Sequence, residues 1–465
     1  MTNAGYLERL RIKAIEKYAP LKYNWTPPDE ALFSLKNIYG QSAEKIKDLR
    51  FKAIKYAFNH HYKNSYFYNK FCKTLEVKPD DIKSEADYKL IPLISDLIFK
   101  NHPEQGKEFV DWLSKIYVGK FKKINEIKNT TIFDDIIKEY QKLGITLVFS
   151  SGTSGTFSFV PRDEITWNRQ MYVCSRVFEM SPYDYFSKKS IIIWLGPNPA
   201  KTHLYIGRLT LMLKDIFDKS DIHFGINREL STKIIKTLMG VNNDFFGNVK
   251  GAFFKPFIGR EQSKAMDNII NILEKNKNKE KKIGFGGAPF LIEYLMSKIE
   301  KRGLKYNFEE GMTVTAGGWK AHSGAEIPAV KFRNKINKIF EIPTQNCRDI
   351  YGMVECNALG VTCEGHYKHI PSSIIYPMVL NEESEPIGFG EYGRFAFIDP
   401  LANSYPGFIM TGDRVKILKN CPGCDKPGPV ICEDISRLSG VQDRGCGATL
   451  SKMFTEELEK TASKQ

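Results

Sequence analysis

The first 140 residues carry apolar side chains at the spacing of amphipathic helices. Apolar positions recur every three to four residues over 4–18, 41–75 and 105–140, which places them on one face of a helix. We therefore predict a mostly helical region over residues 1–140.

The pattern changes after residue 140, where short apolar runs alternate with amphipathic stretches. Strands are predicted at 147–149, 190–195, 249–254, 283–285, 312–316 and 345–351. Helices are predicted near 164–179, 229–239, 262–274, 289–303 and 325–340. This alternation is typical of a layered α/β domain, which we place at residues 141–368.

The last hundred residues are dominated by short strands separated by turns. Strands are predicted at 374–379, 393–398, 408–410 and 415–418, and no helical periodicity links them. We predict a small antiparallel β subdomain and a short C-terminal segment with a cluster of cysteines, together residues 369–465.

Composition and charge exclude several classes of protein. The chain of 465 residues is 42% apolar and 12% aromatic, so it can bury a core. No apolar run approaches the length of a membrane span, and the N-terminus lacks the apolar segment of a secretion signal. We expect a cytoplasmic protein with no membrane span.

The net charge is +14, but the lysines are spread along the chain, and one dense block at 275–282 is predicted to be a solvated loop. No nucleic-acid-binding signature accompanies them. We therefore expect no nucleic-acid partner, and such binding is only a minor alternative.

A run of small polar residues directly follows the predicted strand 147–149. Glycine lets the backbone approach a ligand closely, and the hydroxyl and amide groups suit phosphate oxygens. An ordinary surface turn is the alternative. The run consists of Ser150, Ser151, Gly152, Thr153, Ser154, Gly155 and Thr156.

Three further loops follow predicted strands in the same way. Ligands of α/β folds bind where strands end, so these loops are candidates to surround one ligand. Each loop taken alone is equally compatible with a helix-entry turn, a C-cap or a β-turn. The candidate residues are Gly317, Gly318, Trp319 and Lys320 in the first loop, Tyr351, Gly352, Met353 and Glu355 in the second, and Asp413 and Arg414 in the third.

The order of these four loops resembles the adenylate-forming superfamily, which activates carboxylates with ATP. The resemblance implies that 150–156 is a phosphate loop and that Gly317 and Gly318 lie against adenine. It also implies that Tyr351 stacks on adenine, that Glu355 reaches Mg²⁺ and that Asp413 holds the ribose hydroxyls. Carboxylates suit both of the last two tasks, because they bind hard cations and accept hydroxyl protons.

Other segments resemble one branch of that superfamily. Residues 62–71, 78–82 and 91–94 look like the N-terminal region of phenylacetate–CoA ligases. The stretches 317–320, 365–371 and 444–447 look most like the acyl-protein synthetases, the fatty-acid-activating subunits of bioluminescence reductase complexes. The resemblance covers residues 55–450 and implies ATP and Mg²⁺ as cofactors, a fatty carboxylic acid as substrate and an acyl reductase as protein partner.

Two departures from the superfamily pattern stand out. The phosphate loop usually ends in a lysine, where this chain has Phe157-Ser158-Phe159. Only about 50 residues follow Asp413, whereas complete ligases carry a larger lid domain there, with a catalytic lysine. We therefore expect the large N-terminal domain of the fold, with layered α/β subdomains and the small β subdomain, and a truncated or absent C-terminal lid.

Six of the nine cysteines lie in the last 110 residues. Cys421 and Cys424 have the spacing of a zinc knuckle. The second half of such a site could come from Cys363 with His366 or His369, or from Cys432. The candidate Zn²⁺ ligands are Cys363, His369, Cys421 and Cys424, and the alternative is reduced cysteines without a metal.

Cys446 lies between Gly445 and Gly447, which leave its sulfur accessible, and Arg444 favours its thiolate. The resemblance implies that a cysteine near this end accepts the acyl group as a thioester. A fourth zinc ligand is the alternative role. With Glu355 and Lys320, Cys446 completes the candidate catalytic residues.

The predicted activity is ATP-dependent formation of an acyl-adenylate followed by transfer of the acyl group to the enzyme's own cysteine. A ligase that uses coenzyme A, or that adenylates another cofactor, is an alternative in the same class. An inactive adenylate-fold protein that serves as a partner-binding subunit is an alternative in another class.

Overall fold

The computed structural model describes residues 3–438 except 123, 125, 152–155, 240–244, 278–279 and 320–326. Its N-terminal region is mostly helical, as predicted. The helices are α1 (Asn3–Tyr18), α2 (Pro27–Phe33), α3 (Ala43–Asn64), α4 (Tyr66–Thr74), α5 (Gly106–Ile116) and α6 (Phe133–Lys142), with a short strand β1 (Ile94–Ser95) between α4 and α5.

The middle of the chain alternates strands with helices. Its strands are β2 (Thr146–Ser151), β3 (Phe157–Arg162), β4 (Ser190–Pro197), β5 (Asp221–Ile226), β6 (Lys282–Gly287), β7 (Met312–Ala316) and β8 (Cys347–Tyr351). Its helices are α7 (Glu164–Arg176), α8 (Tyr205–Leu209), α9 (Leu211–Ile216), α10 (Thr232–Met239), α11 (Phe245–Asn276), α12 (Pro289–Lys301) and α13 (Ala329–Phe340).

The C-terminal part is built from strands. These are β9 (Gly360–Thr362), β10 (Lys368–His369), β11 (Tyr376–Leu380), β12 (Tyr392–Ile398), β13 (Phe408–Leu418), β14 (Val430–Ile431) and β15 (Ser436–Arg437). The predicted antiparallel strands are therefore present, but 408–410 and 415–418 belong to one continuous strand.

Thirteen of the strands in the described residues form one sheet in the order β11-β12-β13-β14-β10-β9-β8-β7-β6-β4-β5, with β1 and β15 also paired to β13. The run β5-β4-β6-β7-β8 is parallel. The strands from β9 to β14 pair antiparallel with one another, β9 pairs antiparallel with β8, and β1 pairs in parallel with β13. Strands β2 and β3 form a separate hairpin. Because β10 covers residues 368 and 369, the sheet is continuous across the predicted domain boundary, and the three-part division stays a prediction.

Strand β4 shows why the parallel part of the sheet is buried on both faces. Ile191, Ile193 and Leu195 pack into one apolar cluster with α11, α12 and α13. The intervening Ile192 and Trp194 belong to the other, larger cluster, which includes α7 and α9. Successive strand residues point to opposite faces, so a strand covered on both sides needs an unbroken apolar run.

A buried ion pair connects the N-terminal helix α2 to helix α7 of the middle region. The backbone N–H of Thr26 donates to Asp29 Oδ2 at 2.9 Å, which caps the start of α2. The other oxygen of Asp29 accepts from Arg169 Nε on α7 at 2.8 Å. Both side chains are at least 96% buried, so loss of either one would leave an unpaired buried charge.

Two sequence-based predictions in the middle region are wrong. Residues 249–254 were expected as a strand and lie in helix α11. Their aromatic and β-branched composition favours a strand, but propensity is a weak signal that the surrounding structure overrides. Strand β5 was missed, because Asp221, His223 and Gly225 interrupt its apolar positions.

None of the helices in the described part of the chain combines the length and the apolarity needed to cross a bilayer. The cytoplasmic location stays a prediction from the sequence.

Candidate functional site

A cavity of about 1530 Å³ lies beside the carboxyl ends of parallel strands β4, β6, β7 and β8. This is the edge of the sheet at which ligands of α/β proteins bind. One part of its wall is polar and carries Ser150, Glu355 and Asp413. Three of the four predicted ligand loops therefore meet in one cavity through these residues, and the fourth reaches it through Gly317.

The loop after β7 turns through two consecutive left-handed residues. Gly317 has a φ of +87° and Gly318 a φ of +62°, a conformation that side chains with a Cβ adopt only with strain. A Cβ built on Gly317 would meet no atom within 4 Å. Glycine is thus required here by the backbone conformation, and it leaves open space for a flat ligand beside the chain.

Glu355 lies four residues after the end of β8 and is only 4% exposed. Its side chain lines the cavity, and among the described residues it has no ion-pair partner. Burial raises the pKa of Glu355; the positive charge of Lys100 opposes this shift and the negative charge of Asp96 adds to it. A buried carboxylate without an ion-pair partner that lines a cavity can bind a cation.

Asp413 on β13 is held in a fixed orientation. It is 5% exposed, and its Oδ2 accepts a hydrogen bond from the Tyr351 hydroxyl at 2.7 Å. Its Oδ1 lies 2.9 Å from Arg437 Nε. Burial, followed by the charge of Asp413, raises the pKa of Tyr351, so Tyr351 stays a protonated donor.

Apolar side chains make up much of the remaining cavity wall, which also carries charged residues such as Lys214, Arg228 and Glu261. Such apolar side chains can bind a hydrocarbon group by removing it from water. They include Phe178, Ile192, Leu209, Met212, Phe224 and Met312.

A second cluster lies on the antiparallel part of the sheet. The ligand atoms of Cys363, His369, Cys421 and Cys424 all lie within 4.8 Å of one another. The sulfurs of Cys363 and Cys421 are 3.6 Å apart, and His369 Nε2 lies 3.1 Å from the Cys424 sulfur. The first distance is too long for a disulfide. It is close to the separation of about 3.8 Å between two thiolates on one tetrahedral zinc.

The two turns that carry this cluster pack closely on each other. A Cβ on Gly365 would lie 2.5 Å from the Cα of Gly423, so only glycine allows this approach. The Gly423 N–H donates to the Cys421 sulfur at 3.4 Å. Such an amide-to-sulfur bond stabilises a thiolate, as metal ligation requires.

Burial also lowers the pKa of His369 to about 4, which keeps its imidazole neutral at physiological pH. His366 and Cys432, the other ligands considered from the sequence, do not belong to the cluster.

Residues 253–455 match the family described as "Acyl-protein synthetase, LuxE". The chain is 24% identical over 421 residues to the "Long-chain-fatty-acid--luciferin-component ligase" of Aliivibrio fischeri. The alignment covers 90% of this chain and 92% of that protein. The protein of the same name from Vibrio harveyi is 24% identical over 417 residues, and this alignment covers 89% of this chain and 90% of the Vibrio harveyi protein. The chain is thus similar to the acyl-protein synthetases in its second half and to these two ligases over most of its length.

Solved structures of 2-hydroxyisobutyryl-CoA ligase show the same fold. The open conformation, in complex with 2-HIB-AMP and CoA, aligns with a TM-score of 0.58 at 12% identity and covers 91% of this chain and 76% of that one. The structure of the thioesterification state aligns with a TM-score of 0.59 at 13% identity, and the alignment covers 90% of this chain and 73% of that one. The α/β adenylate-forming fold expected from the motif series is confirmed. The similarity to proteins named as ligases agrees with the expected class of ATP-dependent acyl-activating ligase. The truncated lid stays a prediction.

The structure brings most of the described candidate residues to the cavity but not all of them. Those that line it are Ser150, Gly317, Gly352, Met353, Glu355 and Asp413. Gly318 and Tyr351 adjoin it through Gly317 and Asp413. Ser151 ends β2, and Thr156 precedes β3 with an exposed side chain.

Two further predicted residues are not among those that line the cavity. The Trp319 ring packs edge-on against Phe332, with 5.5 Å between centroids. Arg414 points to the face of β13 opposite Asp413 and stacks over Tyr392 at 4.3 Å. Gly152, Thr153, Ser154, Gly155, Lys320 and Cys446 lie outside the described residues.

Reasoning from the sequence missed many polar residues of the cavity wall, and four of them lie beside candidate site residues. Asp96 and Lys100 lie four residues apart after an apolar stretch, and that spacing was the only local signal for them. Ser158 stands opposite Ser150 in the β2–β3 register. Arg437 lines the cavity and pairs with Asp413.

Proposed function

We propose that the protein activates a long-chain fatty acid with ATP and then transfers the acyl group to its own Cys446. The observation that carries this proposal is the cavity, whose wall combines two buried carboxylates, Glu355 and Asp413, with many apolar side chains. A fatty acid likewise combines a charged head with an apolar chain. The curated relatives are named long-chain-fatty-acid ligases, which supports the same substrate class.

Several residues of the cavity wall supply groups suited to binding ATP. Ser150 begins the phosphate loop, and the Gly317 backbone leaves space for adenine. Asp413 accepts hydrogen bonds from the ribose hydroxyl groups. Glu355 is placed to hold Mg²⁺, which would neutralise phosphate charge. A carboxylate has about four acceptor sites, so Asp413 can accept from a ribose while Tyr351 and Arg437 hold it.

In the first half-reaction, a carboxylate oxygen of the fatty acid bonds to the α-phosphorus of ATP. The bond from that phosphorus to the bridging oxygen breaks, and pyrophosphate leaves. In the second, the Cys446 sulfur bonds to the acyl carbon, the carbon–oxygen bond to AMP breaks, and the thiol proton is released. We further propose that the thioester is then delivered to an acyl reductase partner.

The test separates the two half-reactions. Exchange of ³²P-pyrophosphate into ATP, measured with acids of increasing chain length, should depend on the acid and be greatest with long chains. Labelled fatty acid with ATP and Mg²⁺ should then acylate the protein, and neutral hydroxylamine should release the label.

Cys446→Ser should abolish the hydroxylamine-sensitive label and leave the exchange largely intact, while Cys432→Ser is the matched control that should change neither. No exchange with any acid would contradict the proposed activation. Exchange without protein labelling, with coenzyme A consuming the adenylate, would show an acyl-CoA ligase instead.

We also propose that Cys363, His369, Cys421 and Cys424 hold a structural Zn²⁺. Three sulfurs and one imidazole nitrogen within 4.8 Å form a Cys₃His set, which zinc prefers in closed structural sites. The cluster ties the β9–β10 turn to the segment between β13 and β14. Zinc there would stabilise this part of the fold and take no part in the reaction.

A further inference from the structure

Lys100 is a cavity residue that comes from the N-terminal helical region. It immediately follows the short 3₁₀ turn Asp96–Phe99, and its side chain, only 19% exposed, forms an ion pair with Asp96. Both residues line the cavity together with Ser150, Ser158 and Glu355. The charge of Lys100 acts on Glu355, so the ammonium group lies at the polar part of the cavity wall.

Long-range contacts hold this turn in place. Strand β1, which leads into the turn, pairs in parallel with β13, with Ile94 opposite Ile409 and Ser95 opposite Met410. Phe99, next to Lys100, packs edge-on against Tyr405 with 5.6 Å between centroids. The Tyr405 hydroxyl in turn donates to the backbone oxygen of Glu355 at 3.1 Å. The positions of Lys100 and Glu355 are thus fixed by a shared set of contacts.

The base of the phosphate loop lacks a cation of its own in this protein. The hairpin residues that flank the loop are Ser150 and Ser158, which face each other in register, and Ser158 stands in the stretch where a lysine was expected. Ser158 is 1% exposed, and its hydroxyl lies near Glu355 but makes no hydrogen bond of normal geometry to any described residue. A buried hydroxyl that lacks such a bond and lines a cavity is available to hydrogen-bond a polar ligand.

We propose that Lys100 binds a phosphate oxygen of ATP and replaces, from a distant part of the chain, the lysine that the phosphate loop lacks. This inference rests on the proposed activation by ATP and adds a substrate-binding residue to it. An ammonium group has three donors, so Lys100 can keep its bond to Asp96 and still donate to a phosphate. The Ser158 hydroxyl is placed to donate to the same phosphate group.

Direct titration of the full-length protein with ATP and with AMP tests the proposal without needing the fatty acid. Lys100→Met should weaken ATP binding by at least about tenfold, because a hydrogen bond to a charged group is lost, and AMP binding should change much less. Lys100→Arg keeps the charge and should retain a large part of the ATP affinity. Lys52→Met is the matched control, since Lys52 forms the same i,i+4 pair with Asp48 on an exposed helix surface.

Exchange of ³²P-pyrophosphate provides the second readout. The apparent KM for ATP should rise in Lys100→Met, while the KM for the fatty acid stays within about twofold. A rise in the KM for the acid alone would overturn the proposal and make Lys100 a ligand of the substrate carboxylate. Unchanged ATP affinity with a lowered melting temperature would overturn it too, because Lys100 would then be only the ion-pair partner of Asp96.

Failure of the proposed function has a different signature. If the wild-type protein binds ATP but shows no acid-dependent exchange, the activation is refuted. The comparison of Lys100→Met with Lys52→Met in ATP binding still decides the role of Lys100.

Discussion

The Tyr351 hydroxyl donates a 2.7 Å hydrogen bond to Asp413, although β9, β10 and β14 separate their strands in the sheet. The sheet therefore curls between β8 and β13 and brings the end of β8 beside the middle of β13. Asp413 has its second oxygen beside Arg437, so the carboxylate is oriented before any ligand arrives. Such prior orientation lowers the entropy that is lost when a ligand binds.

From this arrangement we predict that Tyr351→Phe raises the apparent KM for ATP about fivefold in pyrophosphate exchange. The change removes one hydrogen bond, which contributes about 1 kcal/mol, and keeps the ring. Asp413→Ala should raise the KM by about tenfold or more, because the proposed ribose acceptor is lost. Tyr392→Phe is the control, since the Tyr392 hydroxyl contacts Asp434 on the protein surface. Equal, small effects in all three variants would contradict a ribose-binding role for Asp413.

Glu355 gives the second prediction. Glu355→Gln should lower Mg²⁺-dependent exchange at least about 100-fold, because a carboxylate that stabilises charge at the reacting phosphate contributes about 3 kcal/mol. Its melting temperature should not fall, because the buried carboxylate has no ion-pair partner to lose among the described residues.

Glu179 provides the contrast for this experiment. It is also buried, but it pairs with Arg176 and accepts from the backbone N–H of Ile38 at 3.0 Å. Glu179→Gln should therefore lower the melting temperature. Full activity in Glu355→Gln would leave Glu355 without the proposed metal role.

The third prediction concerns pH. Burial raises the pKa of Glu355 above its ordinary value of 4.5, Lys100 lowers it and Asp96 raises it further. Only the ionised carboxylate binds Mg²⁺, so apparent Mg²⁺ affinity should increase as pH rises from the ordinary pKa and level off above the folded-state pKa. Saturating Mg²⁺ should shift the acid limb of the exchange activity to lower pH, since the cation favours the carboxylate.

The raised pKa of Glu355 also affects the stability of the folded protein in the absence of Mg²⁺. A raised carboxyl pKa stabilises the folded state fully below the unfolded pKa, and this contribution is lost as pH rises through the folded pKa. Added Mg²⁺ should offset the loss in thermal melting experiments. The offset should be absent in Glu355→Gln, and an equal offset in that variant would contradict metal binding at this site.

Local sequence pattern was sufficient for much of the fold and for the residues that loops bring to the cavity. Strand β7 was predicted with its observed bounds, 312–316, because it is an uninterrupted β-branched run with a glycine pair after it. Glu355 was recognised because it follows a strand in a characteristic order of loops. Asp413 was recognised from its Thr-Gly-Asp motif, although it was expected at a strand end and lies within β13. Residues 249–254 were misjudged because short apolar runs look alike in helices and strands.

Local sequence pattern could not identify Lys100 as a residue of the cavity. Its place at the cavity depends on the pairing of β1 with β13, two segments more than 300 residues apart in the chain. Trp319 shows another limit of local pattern, because its position beside the glycine pair suggests a ligand contact but does not reveal that its ring packs on Phe332. Tertiary contacts of this kind leave no periodic signal in the sequence.

The last prediction concerns the cluster of Cys363, His369, Cys421 and Cys424. The purified protein should contain about one Zn²⁺ per chain by elemental analysis, as the Cys₃His set requires. Cys421→Ser and Cys424→Ser should each lose the metal and lower the melting temperature, because metal binding to a preformed site stabilises the folded state. Cys432→Ser should keep both metal and stability, since Cys432 lies outside the cluster. Pyrophosphate exchange in the folded fraction of each variant should remain, because the cluster contributes no residue to the cavity wall. Wild-type protein that is metal-free and equally stable would refute the zinc site, whereas metal loss with unchanged stability would refute only its structural role.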